Sequence, residues 1–251
     1  MKTIAISGKG GTGKTTLAAL LIRSLLQQEA GSVLAVDADP NVNLNDLLGV
    51  ELRDTVGGIR EDMKDAGHSL PGGMTKAQFL EYKIQTSLVE SAGFDLIAMG
   101  RPEGPGCYCY ANSLLRDILN TLSANYSWVV IDNEAGMEHL SRRTVQLIDY
   151  LLVVSDVSAR GIRAAGRIGR LIKELDTRVT HKYLILNRVQ GEVPREIRAA
   201  IGEEGLELRD SIPYDAALLE LEQTERPVFA LDPDSDSAQA VERLVMSLMI
   251  G

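Results

Sequence analysis

The run Gly8-Lys9-Gly10-Gly11-Thr12-Gly13-Lys14-Thr15-Thr16 follows the apolar stretch Thr3-Ile-Ala-Ile-Ser7 and precedes apolar residues at helical spacing over 17–26. A strand, a glycine-rich turn and a helix, in that order, let backbone amides curl round phosphate oxygens. The helix adds its positive N-terminal end. Lys14 is expected to reach the β- and γ-phosphate oxygens, the Thr15 hydroxyl to ligate Mg²⁺, and Thr16 to contact the α-phosphate.

Outward from this loop, short apolar runs alternate with longer helical patterns. Residues 33–36, 94–99, 128–131, 150–154 and 183–186 read as further strands, and 112–122, 138–148 and 160–175 as helices. This alternation predicts one α/β domain over residues 1–251, with a mostly parallel sheet covered on both faces. Ligands in such sheets sit at the carboxyl ends of the strands. Residues from about 50 to 92 fit the alternation least and read as an insertion with a helix over 75–88, either a solvated connector or a partner-binding lid. Asp236 or Ser237 is the expected cap of a last helix.

A length of 251 residues suits one domain, and 45% hydrophobic content with only 4% aromatics predicts an aliphatic core. The net charge of −9 opposes general binding to nucleic acid, and no dense Lys/Arg run offsets it. No stretch of about 18 apolar residues occurs, so no membrane span is expected. The two cysteines form no disulfide framework, and with no secretory signal they suggest a cytoplasmic protein.

Lys9 is the unusual position in the loop. With it the sequence resembles the deviant Walker A family of P-loop NTPases, whose loop reads K-G-G-x-G-K-[ST] and which includes the MinD and ParA ATPases and the nitrogenase iron protein. The resemblance implies ATP as substrate and a homodimer in which Lys9 reaches the partner's nucleotide. A cation supplied across an interface stabilises transition-state charge as an arginine finger does.

Two acidic strand ends complete the pattern. In Asp37-Ala38-Asp39-Pro40-Asn41, the resemblance makes Asp39 the residue that orients or deprotonates the attacking water, and Asp37 a Mg²⁺ contact through water. Asp132-Asn133-Glu134-Ala135-Gly136 matches the second switch, with Asp132 holding Mg²⁺ through water and the Gly136 amide sensing the γ-phosphate. Asn187 fits an adenine contact, with Arg188 beside it. Gln190 stands where a guanine-selective N-K-x-D motif needs aspartate, which favours ATP over GTP. Ile212-Pro213-Tyr214-Asp215 resembles the family segment whose backbone packs near adenine; a simple turn at Pro213 is the alternative.

Cys107-Tyr108-Cys109 follows Gly104-Pro105-Gly106. In extended backbone, residues i and i+2 face one side, so both thiols can point the same way. Two thiolates supply half of a four-coordinate soft-metal site, and a second chain across a two-fold axis supplies the rest. A C-x-C disulfide and two inert buried cysteines are the alternatives. The segment Met99-Gly-Arg-Pro-Glu-Gly-Pro-Gly-Cys-Tyr-Cys109, with Asn112 and Leu114-Leu115, resembles CooC-type ATPases, maturation factors of nickel-containing carbon monoxide dehydrogenase, and the related AcsF-type factors for acetyl-CoA synthase. That resemblance implies Ni²⁺ bound by paired C-x-C motifs, with Zn²⁺ also able to occupy them.

Three relatives of the family fit less well. An iron protein needs a cysteine beyond the second switch, and residues 132–143 contain none. A DNA partitioner predicts a basic surface. A membrane-bound MinD predicts a basic amphipathic tail, whereas residues 240–250 carry one arginine and read as a core-packing helix. His68, His139 and His181 are scattered and read as structural or solvated, and Met99 and Met137 as core residues.

Overall fold

The computed structural model describes residues 1–59, 73–101, 109–135, 147–174 and 178–250. Eight strands form one sheet: β1 (Lys2–Gly8), β2 (Val33–Ala38), β3 (Val89–Glu90), β4 (Phe94–Ala98), β5 (Trp128–Asn133), β6 (Leu147–Ser155), β7 (Arg178–Val189) and β8 (Leu208–Pro213), in the order β3-β4-β2-β5-β1-β6-β7-β8. Every pairing is parallel except β3 with β4 at one edge. The helices are α1 (Lys14–Gln27), α2 (Leu44–Leu48), α3 (Lys76–Ser87), α4 (Cys109–Leu122), α5 (Ala159–Glu174), α6 (Arg195–Glu203), α7 (Ala216–Gln223) and α8 (Asp236–Ile250).

Strand period assigns the faces. Ile4 and Ile6 pack with α1 and α8, whereas Ala5 between them packs with Ile162 and Ile168 of α5 and Ile197 of α6. Leu34, Val36 and Ile131 meet Leu115 and Ile118 of α4 in a third cluster. Helices therefore cover both faces, as expected for strands this apolar. The tail does pack on the core, through Val241, Leu244 and Leu248 of α8, which are each about 1% exposed or less. Among the described residues no helix is long and apolar enough to cross a membrane.

Some local expectations are corrected. The helix expected over 138–148 runs into β6, which already holds Leu147 and Ile148; parallel pairing with Arg178 and Val179 claims them. Residues 136–146 lie outside the described residues. The cap of α8 is not Asp236 or Ser237: the helix starts at Asp236, Ser235 Oγ accepts the Ala238 amide, and Ser237 instead donates to Asp215. Cys109 is the first residue of α4, whereas Cys107 and Tyr108 lie outside the described residues, and with them the expectation that both thiols face one side.

Segment 50–92 is described in part. Val56 and Ile59 are buried in the α4 cluster, and Thr75 caps α3 through a capping box with Gln78. β3, β8, α2, α6 and α7 are elements that apolar patterning did not reveal.

Candidate nucleotide site

The loop between β1 and α1 is fixed by contacts that leave little freedom. Gly8 has φ +155°, and a Cβ there would lie 2.3 Å from the carbonyl oxygen of Val154 on β6. Gly13 caps α1 at φ 84°, and a Cβ there would meet Asn187 Nδ2 at 2.3 Å. Only glycine suits a positive φ pressed against neighbouring atoms. Thr12 Oγ1 donates to the Lys9 carbonyl at 2.8 Å, and Asn187 Nδ2 donates to the Thr12 carbonyl at 2.9 Å. The loop is thus tied to itself and to the end of β7.

Lys14 is 8% exposed and forms no hydrogen bond or salt bridge with the described residues. A buried ammonium without an acceptor calls for an anion, and it lies in the first turn of α1, where the helix also favours negative charge. Lys9 is exposed, and its side chain has no ion pair among the described residues.

Asp37 and Asp132 are register partners on adjacent strands β2 and β5, 0% and 1% exposed. Asp37 is engaged by backbone: Oδ1 accepts the Asp39 amide at 3.0 Å, and Oδ2 accepts the amides of Asn43 and Leu44, each at 2.9 Å. Burial pushes its carboxyl up, and those amides oppose the shift. Asp132 Oδ1 is buried without a hydrogen-bond partner. Burial raises the Asp132 carboxyl to about 7; Thr15 and Lys14 pull it down, while Asp37 and Asp39 push it further up. An orphaned carboxylate oxygen beside a threonine hydroxyl and two more acids suits a hard divalent cation. Among the described residues no group of three or more His, Cys, Asp or Glu could hold a metal alone. Mg²⁺ would therefore be shared between Thr15, Asp132 through water and phosphate oxygens.

Asp39 Oδ1 accepts both the backbone amide and the side-chain amide of Asn41, at 2.8 and 3.0 Å. Its carboxylate is held in place while Oδ2 remains available. Asn133 Nδ2 donates to the Ile6 carbonyl at 2.8 Å and so binds the end of β5 to β1. Gly136, Cys107, His68, His139 and Met137 lie outside the described residues. Met99 is fully buried in the core, and His181 stacks between Tyr150 and Tyr183 at 5.4 and 5.9 Å, both as expected.

Asn187, Arg188 and Pro213 do converge. They line one small cavity of about 30 Å³ with Thr16, Tyr214 and Glu222. Beside it opens a cavity of about 650 Å³, lined by Thr15, Asn43, Asp46, Glu222, Glu225 and Arg226 among others. Glu222 forms part of both walls. Its carboxylate accepts from Thr16 Oγ1 at 2.5 Å and lies 3.7 Å from the Arg188 guanidinium. Nothing in the sequence around Glu222 marks it; only the packing of α7 against α1 brings it to the loop. Asp215 accepts the Ala217 and Leu218 amides at the start of α7 and the Ser237 hydroxyl of α8, fixing the wall that carries Pro213.

A parallel sheet, a glycine loop at the end of its central strand and acids at the neighbouring strand ends define a P-loop nucleotide-binding protein. The chain belongs to the CobQ/CobB/MinD/ParA nucleotide-binding family, whose pattern matches residues 3–228, and it is an ATPase. An uncharacterized ATP-binding protein of Methanocaldococcus jannaschii is 43% identical over 98% of each chain. The carbon monoxide dehydrogenase accessory protein CooC of Rhodospirillum rubrum is 29% identical, covering 92% of this chain and 90% of its own. The septum site-determining protein MinD of Pyrococcus horikoshii, solved with Mg-ADP, shares the fold: TM-score 0.72 at 23% identity over 98% of this chain and 95% of that one.

Proposed function

We propose that this chain is an ATP-dependent metallochaperone. It binds nickel through Cys107 and Cys109 at a homodimer interface and assists nickel insertion into carbon monoxide dehydrogenase or acetyl-CoA synthase. The observation that carries the proposal is a C-x-C pair following β4, on a nucleotide-switch scaffold whose similarity to the CooC accessory protein extends over nearly the whole chain. Residues 1–251 act as one ATPase domain, with 50–92 inserted over the sheet edge.

In this reading Lys14 and the amides of Gly10 to Thr16 take the phosphates, and Gly8 allows the loop its close approach. Mg²⁺, held by Thr15 and Asp132 with Asp37 behind them, supplies neutralisation of phosphate charge. Asp39 orients the attacking water. The Gly136 amide senses the γ-phosphate, and Asn187, Arg188 and Pro213 border the base. Lys9, exposed and without an ion pair among the described residues, reaches the nucleotide of the second chain. Two chains then bring four thiolates together, the number a tetrahedral or square-planar soft-metal site requires.

Equilibrium dialysis against Ni²⁺ tests this. Wild-type protein retains nickel, and Cys107→Ala or Cys109→Ala loses it while still binding ATP. If the wild type holds no more nickel than the variants, the protein is instead a nucleotide-switched regulator with structural cysteines.

A further inference from the structure

The loop that carries Asp39 is held in a conformation that its sequence does not favour. Val42 lies at φ 43°, in the left-handed region that a β-branched side chain rarely enters. Such a conformation persists only where its surroundings impose it. From the sheet side the hold is Asp37, whose carboxylate takes the amides on both sides of the turn. The other side is held by a residue far away in sequence, Arg101.

Arg101 stands three residues past the end of β4, and its own position is fixed. The Met99 amide donates to the Asp37 carbonyl and the Gly57 amide to the Met99 carbonyl, both at 2.8 Å. Gly100 then turns the chain at φ +63°, and a Cβ there would lie 2.4 Å from Thr55 Oγ1. The turn delivers the Arg101 guanidinium to Asn41, where it donates to Oδ1. The other half of that amide, Nδ2, donates to Asp39 Oδ1. A guanidinium only donates and a carboxylate only accepts, so the Asn41 amide fits between them in one orientation.

We propose that Arg101 is a positioning residue for ATP hydrolysis: acting through Asn41, it sets the carboxylate of Asp39 toward the attacking water. The proposal rests on the reading of Asp39 as the water-orienting group. With Oδ1 engaged by Asn41, only Oδ2 is presented to water, and the cationic end of the relay keeps Asn41 from turning away. Arg101 is also the residue from which the chain continues to the C-x-C segment, with Cys107 six positions on. The hydrolytic loop is therefore tied to the residue that leads, in sequence, into the C-x-C segment.

Steady-state ATPase assays on Arg101→Ala, Arg101→Lys, Asn41→Ala and the Arg101→Ala/Asn41→Ala double variant test it, with Asp39→Asn as control and ADP-bound melting temperature as a check on folding. Each single alanine variant should lower kcat about tenfold with the KM for ATP within about twofold, because binding is untouched and only orientation is lost. The double variant should be no slower than either single one, and Arg101→Lys should recover part of the rate. Unchanged kcat in Arg101→Ala, a change in KM alone, or losses that multiply in the double variant would overturn the proposal. If Asp39→Asn hydrolyses ATP normally, the reading of Asp39 is wrong and the proposal falls with it. If Asp39→Asn is inactive while Arg101→Ala is normal, only the proposal fails.

Discussion

At the scale of the residue, Lys14 is the cation at the centre of the proposed nucleotide site. It is buried with no hydrogen-bond acceptor among the described residues, as a group awaiting a phosphate oxygen would be. Lys14→Ala should weaken ATP binding by about 10- to 100-fold, the worth of one charge-assisted hydrogen bond, as measured by calorimetry. In the apo protein the same substitution removes the attraction of Lys14 for the Asp132 carboxylate, so the Asp132 carboxyl should rise further. Asp215 is the opposite case, a structural acid. Burial pushes its carboxyl up, but hydrogen bonds from Ser237, the Leu218 amide and Ser235 outweigh burial and hold it below the ordinary carboxylate value. A depressed acid stabilises fully above its unfolded value and loses that contribution as pH falls through the folded one. Asp215→Ala should therefore cost about 1–2 kcal/mol at neutral pH, and the gap from wild type should close as pH falls below about 4. Chemical denaturation across that range measures it. The roles proposed for Lys14 and Thr15 come from spacing within the loop motif, and that proposed for Asp132 from its place at the end of a strand. The bond between Thr16 and Glu222 was not legible in the sequence, because 206 positions separate the partners.

At the scale of the element, the turn from β1 into α1 is the least tolerant. Gly8→Ala would press a methyl group into the Val154 carbonyl, so β6 must shift. A loss of about 2 kcal/mol or more is expected, seen as a lower melting temperature, together with weaker nucleotide binding. At Gly11 an added Cβ would meet no atom within 4 Å, so substitution there should act mainly through the positive φ and cost less. The central strands were legible as apolar runs because both of their faces are buried. β8 was not: Leu208-Arg-Asp-Ser-Ile-Pro213 is an edge strand, and its charged residues conceal it. Charge, too, is organised by elements. Arg160, Arg163, Arg167 and Arg170 all lie on the exposed side of α5. Helical spacing gathers them into a stripe that a scan for basic runs misses, and Arg170 is bridged to Glu204 at 2.6 Å.

At the scale of the whole molecule, the sheet order places β1 between the two strands that serve it: β5 brings Asp132 and β6 shapes the Gly8 turn. Asp37 arrives one strand further out, so the glycine loop and the two acids stand at the carboxyl ends of three strands of one sheet. This arrangement was legible from strand-end acids, since α/β sheets place ligands at carboxyl ends. The proposed reach of Lys9 to a second chain rests on resemblance, since one chain contains no record of a second copy. Lys9→Ala should weaken ATP-driven dimerisation in sedimentation velocity while each chain still folds and binds ADP; unchanged dimerisation would mean that Lys9 does not reach across to a second chain. The central claim is that nucleotide closure joins two half-sites into one metal centre. Its most direct test is nickel stoichiometry on the ATP-bound protein, measured by metal analysis after size-exclusion chromatography. The predicted result is about one nickel per two chains, eluting with the dimer and absent from Cys107→Ala. One nickel per chain, or nickel carried by the monomer, would contradict it.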